Sequence, residues 1–276
     1  MNTIEVKIDL RPKEPWDGIL IAQLSELGFD GFLETRQGIC AYAEEGLNVV
    51  EALKQTCLSE GGFEFEVHQK IIPAQNWNAQ WEADFEPVYV DDQLSIMAPF
   101  HDLSEAKGLL IQIQPQMSFG TGHHQTTWLM SRALMSMPEI YDRVLDMGSG
   151  TGVLAIIAEK RGTNEILAID IEEGATENAR SNVELNKCSK ITALQGDIDL
   201  LKDEKPFGLI LANINKNVLK AHMSEYARLL EPGGILLLSG FFESDVDELV
   251  DFATKFGLQF VDVNTNENWA MIQLKK

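Results

Sequence analysis

Lysine and arginine are scarce in this 276-residue chain, 22 against 43 aspartates and glutamates, for a formal net charge of −21. The shortage is sharpest from Gln75 to Glu105, where seven acids stand and no Lys or Arg at all. Such a surface repels phosphate backbones, whose binding rests on Lys and Arg contacts, and this argues against direct nucleic-acid binding. It would steer a basic partner toward the protein, or serve solubility alone. Cysteine is rare too. Cys40, Cys57 and Cys188 are odd in number and scattered, without metal or redox spacing, which leaves reduced thiols that help fill cores. No apolar run approaches the roughly 18 residues of a membrane span. Met1–Val6 has neither a basic leader nor an apolar stretch, so a cytoplasmic protein is expected. Internal repeats and low-complexity tracts are likewise missing.

What is present is ordinary for a globular protein, 45% hydrophobic and 24% charged residues. The length suits a catalytic domain with a smaller companion. Within residues 1–70, Ile4, Val6 and Ile8 alternate with charged neighbours at the period of a half-buried strand. Trp16 to Leu27 follow at helical spacing and stop at Gly28. Phe32–Thr35 and Ile39–Tyr42 read as two strands around Gln37-Gly38. A second helix over Leu47–Leu58 and a strand over Phe63, Phe65 and Val67 complete a βαββαβ order, the ferredoxin-like α+β pattern. Residues 71–120 read as a connector. In it, Trp77 and Trp81 would share a helix face that packs on a domain, and Val88–Val90 and Leu94–Ile96 would form a hairpin around Asp91-Asp92.

From residue 121 to 276 strands and helices alternate, which predicts a Rossmann-like domain with a seven-stranded sheet. The expected strands are Arg143–Asp146, Glu165–Asp170, Ile191–Gln195, Leu209–Ala212, Gly234–Ser239, Leu258–Val263 and Trp269–Gln273. The last two lack a long helix between them and should pair antiparallel at the sheet's edge.

The first of these strands runs into Asp146-Met147-Gly148-Ser149-Gly150-Thr151-Gly152, followed by an apolar helix start. Glycines there allow a tight turn and let a ligand approach without meeting a Cβ. A dinucleotide fingerprint counted from Gly148 needs a glycine at 153, and Val153 stands there. The pattern acid-x-G-x-G-x-G instead resembles the first motif of methyltransferases that bind S-adenosylmethionine, with Gly148 and Gly150 against the cofactor. Asp170 ends the next strand, where a carboxylate can accept hydrogen bonds from ribose hydroxyls, or cap a helix. Asp197, after the third strand, is placed like the residue that meets adenine, although a Gly-Asp turn needs no function. Asn213 ends the fourth strand and points at the crevice beyond the strand ends. Its side-chain oxygen can accept a substrate N–H and aim the nitrogen at the methyl group, the place of Asn-Pro-Pro-Tyr in amine methyltransferases. Asn213 could also cap the next helix, but Asn215 is the better cap candidate. Asn cannot take a proton, and a lysine ammonium, with a pKa of about 10.4, must become neutral before it can attack. Desolvation, the nearby sulfonium or water must achieve that, so positioning for an unassisted displacement should supply most of the catalysis.

Just before the catalytic domain stands Pro115-Gln116-Met117-Ser118-Phe119-Gly120-Thr121-Gly122-His123-His124-Gln125-Thr126-Thr127. This segment resembles the P-G-M-A-F-G-T-G-x-H-x-T-T stretch of the PrmA family, which methylates bacterial ribosomal protein L11. Leu145–Gly152, Ala212-Asn213-Ile214, Leu238-Ser239-Gly240 and Glu267-Asn268-Trp269 match further family blocks. The resemblance implies cofactor contacts at Thr127, Gly148, Asp170 and Asn213, with Phe119 beside the adenosyl group. It also implies that the front domain captures the basic ribosomal protein, that a flexible linker lets several amines reach one site, and that lysine ε-amines and the α-amine are methylated. Without it, Thr126 and Thr127 are first-turn helix residues and His123 and His124 are loop residues with no metal spacing. The chain departs from the family at Gln116, Ser118, Gln125 and Asn215-Lys216, the last pair altering the wall beside the acceptor nitrogen. Two other readings stay open: methylation of an exocyclic amine of a nucleic-acid base, and a non-catalytic cofactor-binding ribosome-assembly factor. Nothing demands an oligomer, and a monomer is expected.

Overall fold

In the computed structural model, which describes residues 2–73, 81, 82, 84–116, 118–138 and 141–276, contacts divide the chain into two compact units, Met1–Asp84 and Phe85–Lys276. The first unit starts from alternation. Ile4, Val6, Ile8 and Leu10 put one face of strand β1 (Thr3–Arg11) into the core, and charged neighbours face out. Helix α1 (Trp16–Glu26) covers that face with Leu20 and Leu24, both fully buried, and ends before Gly28 at φ +96°. Strands β2 (Phe29–Glu34), β3 (Gly38–Glu44) and β4 (Glu64–Ile72) complete an antiparallel sheet in the order β2-β3-β1-β4.

Helix α2 (Val49–Lys54) is shorter than its apolar spacing predicts. The Thr56 hydroxyl donates to the Leu53 carbonyl at 2.7 Å and accepts the Leu58 N–H at 3.4 Å, and Cys57–Ser59 continue as a 3₁₀ turn. A side chain that bonds the local backbone in this way competes with the helix. Cys40 and Cys57 are buried and Cys188 is half-buried, all as free thiols, and burial pushes each pKa up. Trp77, expected to share a helix face with Trp81, lies outside the described residues.

The second unit opens with a small sheet of β5 (Val88–Val90), β6 (Leu94–Met97) and β7 (Leu109–Gln112). The hairpin around Asp91 is present, with Asp91 at φ +48°, but β7, which pairs parallel with β6, had no alternating signal to reveal it. After α3 (Gln125–Ser136) come β8 (Arg143–Met147), α4 (Val153–Lys160), β9 (Glu165–Asp170), α5 (Glu173–Leu185) and β10 (Ile191–Gln195). Then follow β11 (Phe207–Asn213), α6 (Lys216–Leu229), β12 (Leu230–Phe242), α7 (Val246–Thr254), β13 (Gln259–Asn266) and β14 (Trp269–Lys275).

The sheet order is β10-β9-β8-β11-β12-β14-β13. The pairings from β10 to β12 are parallel, and β14 runs antiparallel to both β12 and β13. Central strands are apolar on both faces. Val144, Leu209 and Leu211 pack with α3 and α4, while Leu145, Ile210 and Ala212 pack with α6 and α7. The strand order reverses at β8, whose neighbours are β9 on one side and β11 on the other. A crevice for a ligand opens beyond the carboxyl ends of strands at such a point.

Candidate active site

Beyond the ends of β8 and β11 lies a cleft of about 470 Å³ that brings together Phe119, Gly148, Gly150, Asp170, Asp197 and Asn213. Its floor is the glycine turn. The Gly148 and Ser149 N–H groups donate to the Ile169 carbonyl at 2.8 and 3.0 Å, tying the turn to β9. Gly148 has φ +74°, and a Cβ there would stand 2.2 Å from Cγ2 of Ile214. Gly150 has φ +53°, and its Cβ would stand 2.2 Å from the Phe119 carbonyl oxygen. The atoms crowding these two positions are therefore protein atoms. Glycine is required so that the segments bearing Phe119 and Asn213 can close on the turn. The Phe119 carbonyl accepts the Thr151 N–H at 2.9 Å, and the Thr151 hydroxyl donates to the Gly120 carbonyl at 2.6 Å. The Phe119 ring stays half exposed, 5.1 Å from the His124 ring.

Asp170 leaves the end of β9 with its carboxylate held on both sides. Oδ2 accepts the Gly150 N–H at 2.8 Å and Oδ1 accepts the Glu172 N–H at 3.0 Å. It does not cap α5, whose N-cap is Glu172. Asp197 is exposed at the cleft rim and also caps the following 3₁₀ turn, accepting the Asp199 N–H at 2.9 Å. The turn role is therefore present, in a residue that also lines the cleft.

Asn213 is separated from the capping role as the sequence suggested. Asn215 caps α6 by accepting the Val218 N–H at 3.1 Å. The Asn213 Nδ2 donates to the Thr127 hydroxyl at 3.3 Å, while its Oδ1 is buried without a partner. Thr127 is buried in the first turn of α3 and does not line the cleft; it reaches the site through Asn213. An orphaned buried acceptor is costly, on the order of 1–3 kcal/mol, unless a ligand N–H satisfies it.

His222 also lines the cleft and was missed in the sequence. The available signal is helical spacing: Val218 and His222 are four apart on α6 and share the cleft-facing side. Its Nδ1 lies 3.3 Å from the hydroxyl of the buried Tyr226, and burial lowers its pKa against an opposing pull from Asp197. Lys216 points elsewhere. Its Nζ bonds Asp245 at 2.6 Å and Glu248 at 3.0 Å on the α7 side, and it is absent from the cleft lining. His123 Nε2 lies 2.8 Å from the Glu86 carbonyl and its Nδ1 3.2 Å from the Thr121 hydroxyl, while His124 caps α3 through the Thr126 N–H at 3.2 Å. Gln125 donates to Glu267 at 2.5 Å, and Trp269 meets the His124 ring edge-on at 4.6 Å.

Asp170, Glu172 and Asp197 line the cleft, and no Lys or Arg does among the described residues. This charge opposes a pyrophosphate and favours a ligand that carries cationic groups. A nucleoside with a sulfonium and an ammonium fits that charge.

Fold and cleft together define an α/β methyltransferase with S-adenosylmethionine as methyl donor. The family model described as "Ribosomal protein L11 methyltransferase (PrmA)" matches residues 28–276. A ribosomal protein L11 methyltransferase of Phocaeicola vulgatus is 37% identical over 279 residues, covering 99% of both chains. One from Porphyromonas gingivalis is 40% identical over 260 residues, covering 92% of this chain and 89% of its own. Among solved structures, a ribosomal protein L11 methylase of Lactobacillus delbrueckii subsp. bulgaricus superposes with a TM-score of 0.63 at 24% identity. It covers 69% of this chain and 98% of its own. The chain belongs to the ribosomal protein L11 methyltransferase (PrmA) family.

Proposed function

We propose that the chain transfers methyl groups to lysine ε-amines and the N-terminal α-amine of ribosomal protein L11, with Asn213 as the residue that orients the acceptor. The observation that carries this reading is the Asn213 Oδ1, buried and without a partner at the carboxyl end of β11. The Thr127 bond sets the sense of the amide, leaving an acceptor for the incoming N–H. S-adenosylmethionine supplies an electrophilic methyl on a positively charged sulfur. Asp170 takes the ribose hydroxyls, Asp197 the adenine edge, and Gly148 and Gly150 the nearby backbone of the cofactor, with Phe119 beside the adenosyl group. Asn213 accepts a proton-bearing N–H but cannot remove the proton. The ammonium proton therefore leaves to water first, and the neutral amine, lone pair aimed by Asn213, would form the N–C bond as the methyl's S–C bond breaks and the neutral thioether leaves.

We read residues 1–70 as a ferredoxin-like recognition domain, 71–120 as a linker and 121–276 as a Rossmann-like methyltransferase domain, in a cytoplasmic monomer. The strand orders of the two larger sheets support the fold readings. Excess acid in residues 1–120 favours capture of a basic ribosomal protein over ribosomal RNA. The test is incubation with labelled S-adenosylmethionine and separated large-subunit proteins and RNA. Label on L11 alone supports the proposal. Label on RNA, or cofactor binding without any transfer, would replace it.

A further inference from the structure

We propose that a cleft of about 370 Å³ in the first unit, flanked by Arg11 and Arg36, binds a carboxylate of the protein substrate beside one of its cationic side chains. The inference rests on the reading that L11 is the substrate and adds the chemistry by which it is gripped.

The two arginines stand apart from the rest. The sequence holds seven. Arg132, Arg143 and Arg228 are paired with carboxylates, and Arg161 and Arg180 donate to backbone carbonyls. The guanidinium groups of Arg11 and Arg36 have neither a hydrogen bond nor an ion pair among the described residues, and both line the same cleft. A rigid frame presents them. Arg11 ends β1, and Arg36 sits in the turn between β2 and β3. The Leu10 N–H donates to the Gln37 carbonyl at 2.7 Å, pinning that turn to β1. The Thr35 hydroxyl accepts the Gly38 N–H at 3.0 Å and closes the turn on itself. Planar guanidinium forks held in this way suit a carboxylate, which they can grip through paired N–H donors.

The same cleft holds a carboxylate without an ion pair and a second with one free oxygen. Glu64 lies opposite Arg11 in the β1–β4 register, yet the two form no ion pair. Asp9 gives Oδ2 to Lys7 at 2.9 Å, while its Oδ1 is buried without a partner. Lys13 pairs with Asp17 at 3.5 Å and Glu34 at 3.7 Å, and Glu66 lies 3.0 Å from His68, so of the charges lining the cleft Arg11, Arg36 and Glu64 are the ones without an ion pair among the described residues. A phosphate backbone would meet three carboxylates here. An acid and a base side by side on a protein surface meet the matching set.

The experiment compares the wild-type protein with the double variant R11A/R36A in steady-state methylation of L11, with S-adenosylhomocysteine affinity measured by calorimetry. KM for L11 should rise by about tenfold, while kcat at saturating L11 and the calorimetric affinity stay within twofold. R11K/R36K should recover only part of the loss, since an ammonium cannot grip a carboxylate through a fork. D9N/E64Q should raise KM in the same direction. An unchanged KM in R11A/R36A would overturn this site and leave the proposed function standing. Loss of ribosomal RNA binding by that variant would make the occupant a phosphate and overturn it as well. A wild-type protein that neither binds nor methylates L11 would overturn both.

Discussion

Replacing Asp146 with Asn should make the cofactor-free protein more stable at pH 8 and change nothing at pH 4. Asp146 ends β8 beneath the glycine turn and is 1% exposed. Its Oδ2 accepts the Ala155 N–H at 3.1 Å, and its Oδ1 has no partner. Burial, opposed by that hydrogen bond and reinforced by the charge of Asp170, pushes its pKa from 3.8 up to about 7. At 1.36 kcal/mol per pH unit, such a rise corresponds to about 4 kcal/mol. The folded pKa lies above the unfolded one, so the folded state holds the proton more tightly. The stability it confers is full below about pH 4, falls as the pH climbs toward 7, and is gone above that. Asp146→Asn keeps an acceptor for Ala155 and stays neutral throughout, so it copies the protonated wild type. Thermal unfolding across pH 4–8 should show matching curves at the acid end. At pH 8 the variant should lead by up to about 4 kcal/mol, or about 10 °C in Tm. A variant equal to or less stable than wild type at pH 8 would show that the buried Asp146 carboxylate ionises without cost to the fold.

Gly148→Ala should weaken S-adenosylhomocysteine binding at least tenfold, because positive φ costs about 1–2 kcal/mol and Ile214 must move off the cleft wall; calorimetry and a melting curve read the two effects separately. Lys216→Ala should leave kcat and KM for L11 within twofold, since its ammonium is committed to Asp245 and Glu248. A large fall in kcat would put Lys216 back at the acceptor wall.

Much of the second unit was legible because buried parallel strands and their helices repeat a strong apolar pattern. Glu165–Asp170 and Ile191–Gln195 were readable to the residue, and the closing antiparallel pair followed from the missing helix between its strands. Strand β7 was not readable: Leu109, Leu110 and Ile111 form a short apolar run that periodicity cannot assign. The end of α2 was hidden for a different reason, since the Thr56 bonds compete with apolar spacing that would continue the helix. At the site, strand-end residues were legible because position alone aims them at the crevice. Three features were beyond the sequence. Thr127 acts behind Asn213, the glycines are crowded by Phe119 and Ile214, and Lys216 turns to α7. Each depends on contacts between segments far apart in the chain.

The central claim is that one cleft binds the cofactor through Asp170 and directs the acceptor amine through Asn213. The most direct test measures, in the same samples, cofactor affinity and labelled methyl transferred to L11 for wild type, Asp170→Ala and Asn213→Ala. Asp170→Ala should bind the cofactor at least tenfold more weakly, by loss of hydrogen bonds to a charged acceptor. Asn213→Ala should bind it within about threefold of wild type yet transfer methyl about 100-fold more slowly, the cost of a lost positioning contact. Full transfer by both variants, or loss of cofactor binding with no separate loss of turnover in Asn213→Ala, would contradict the account.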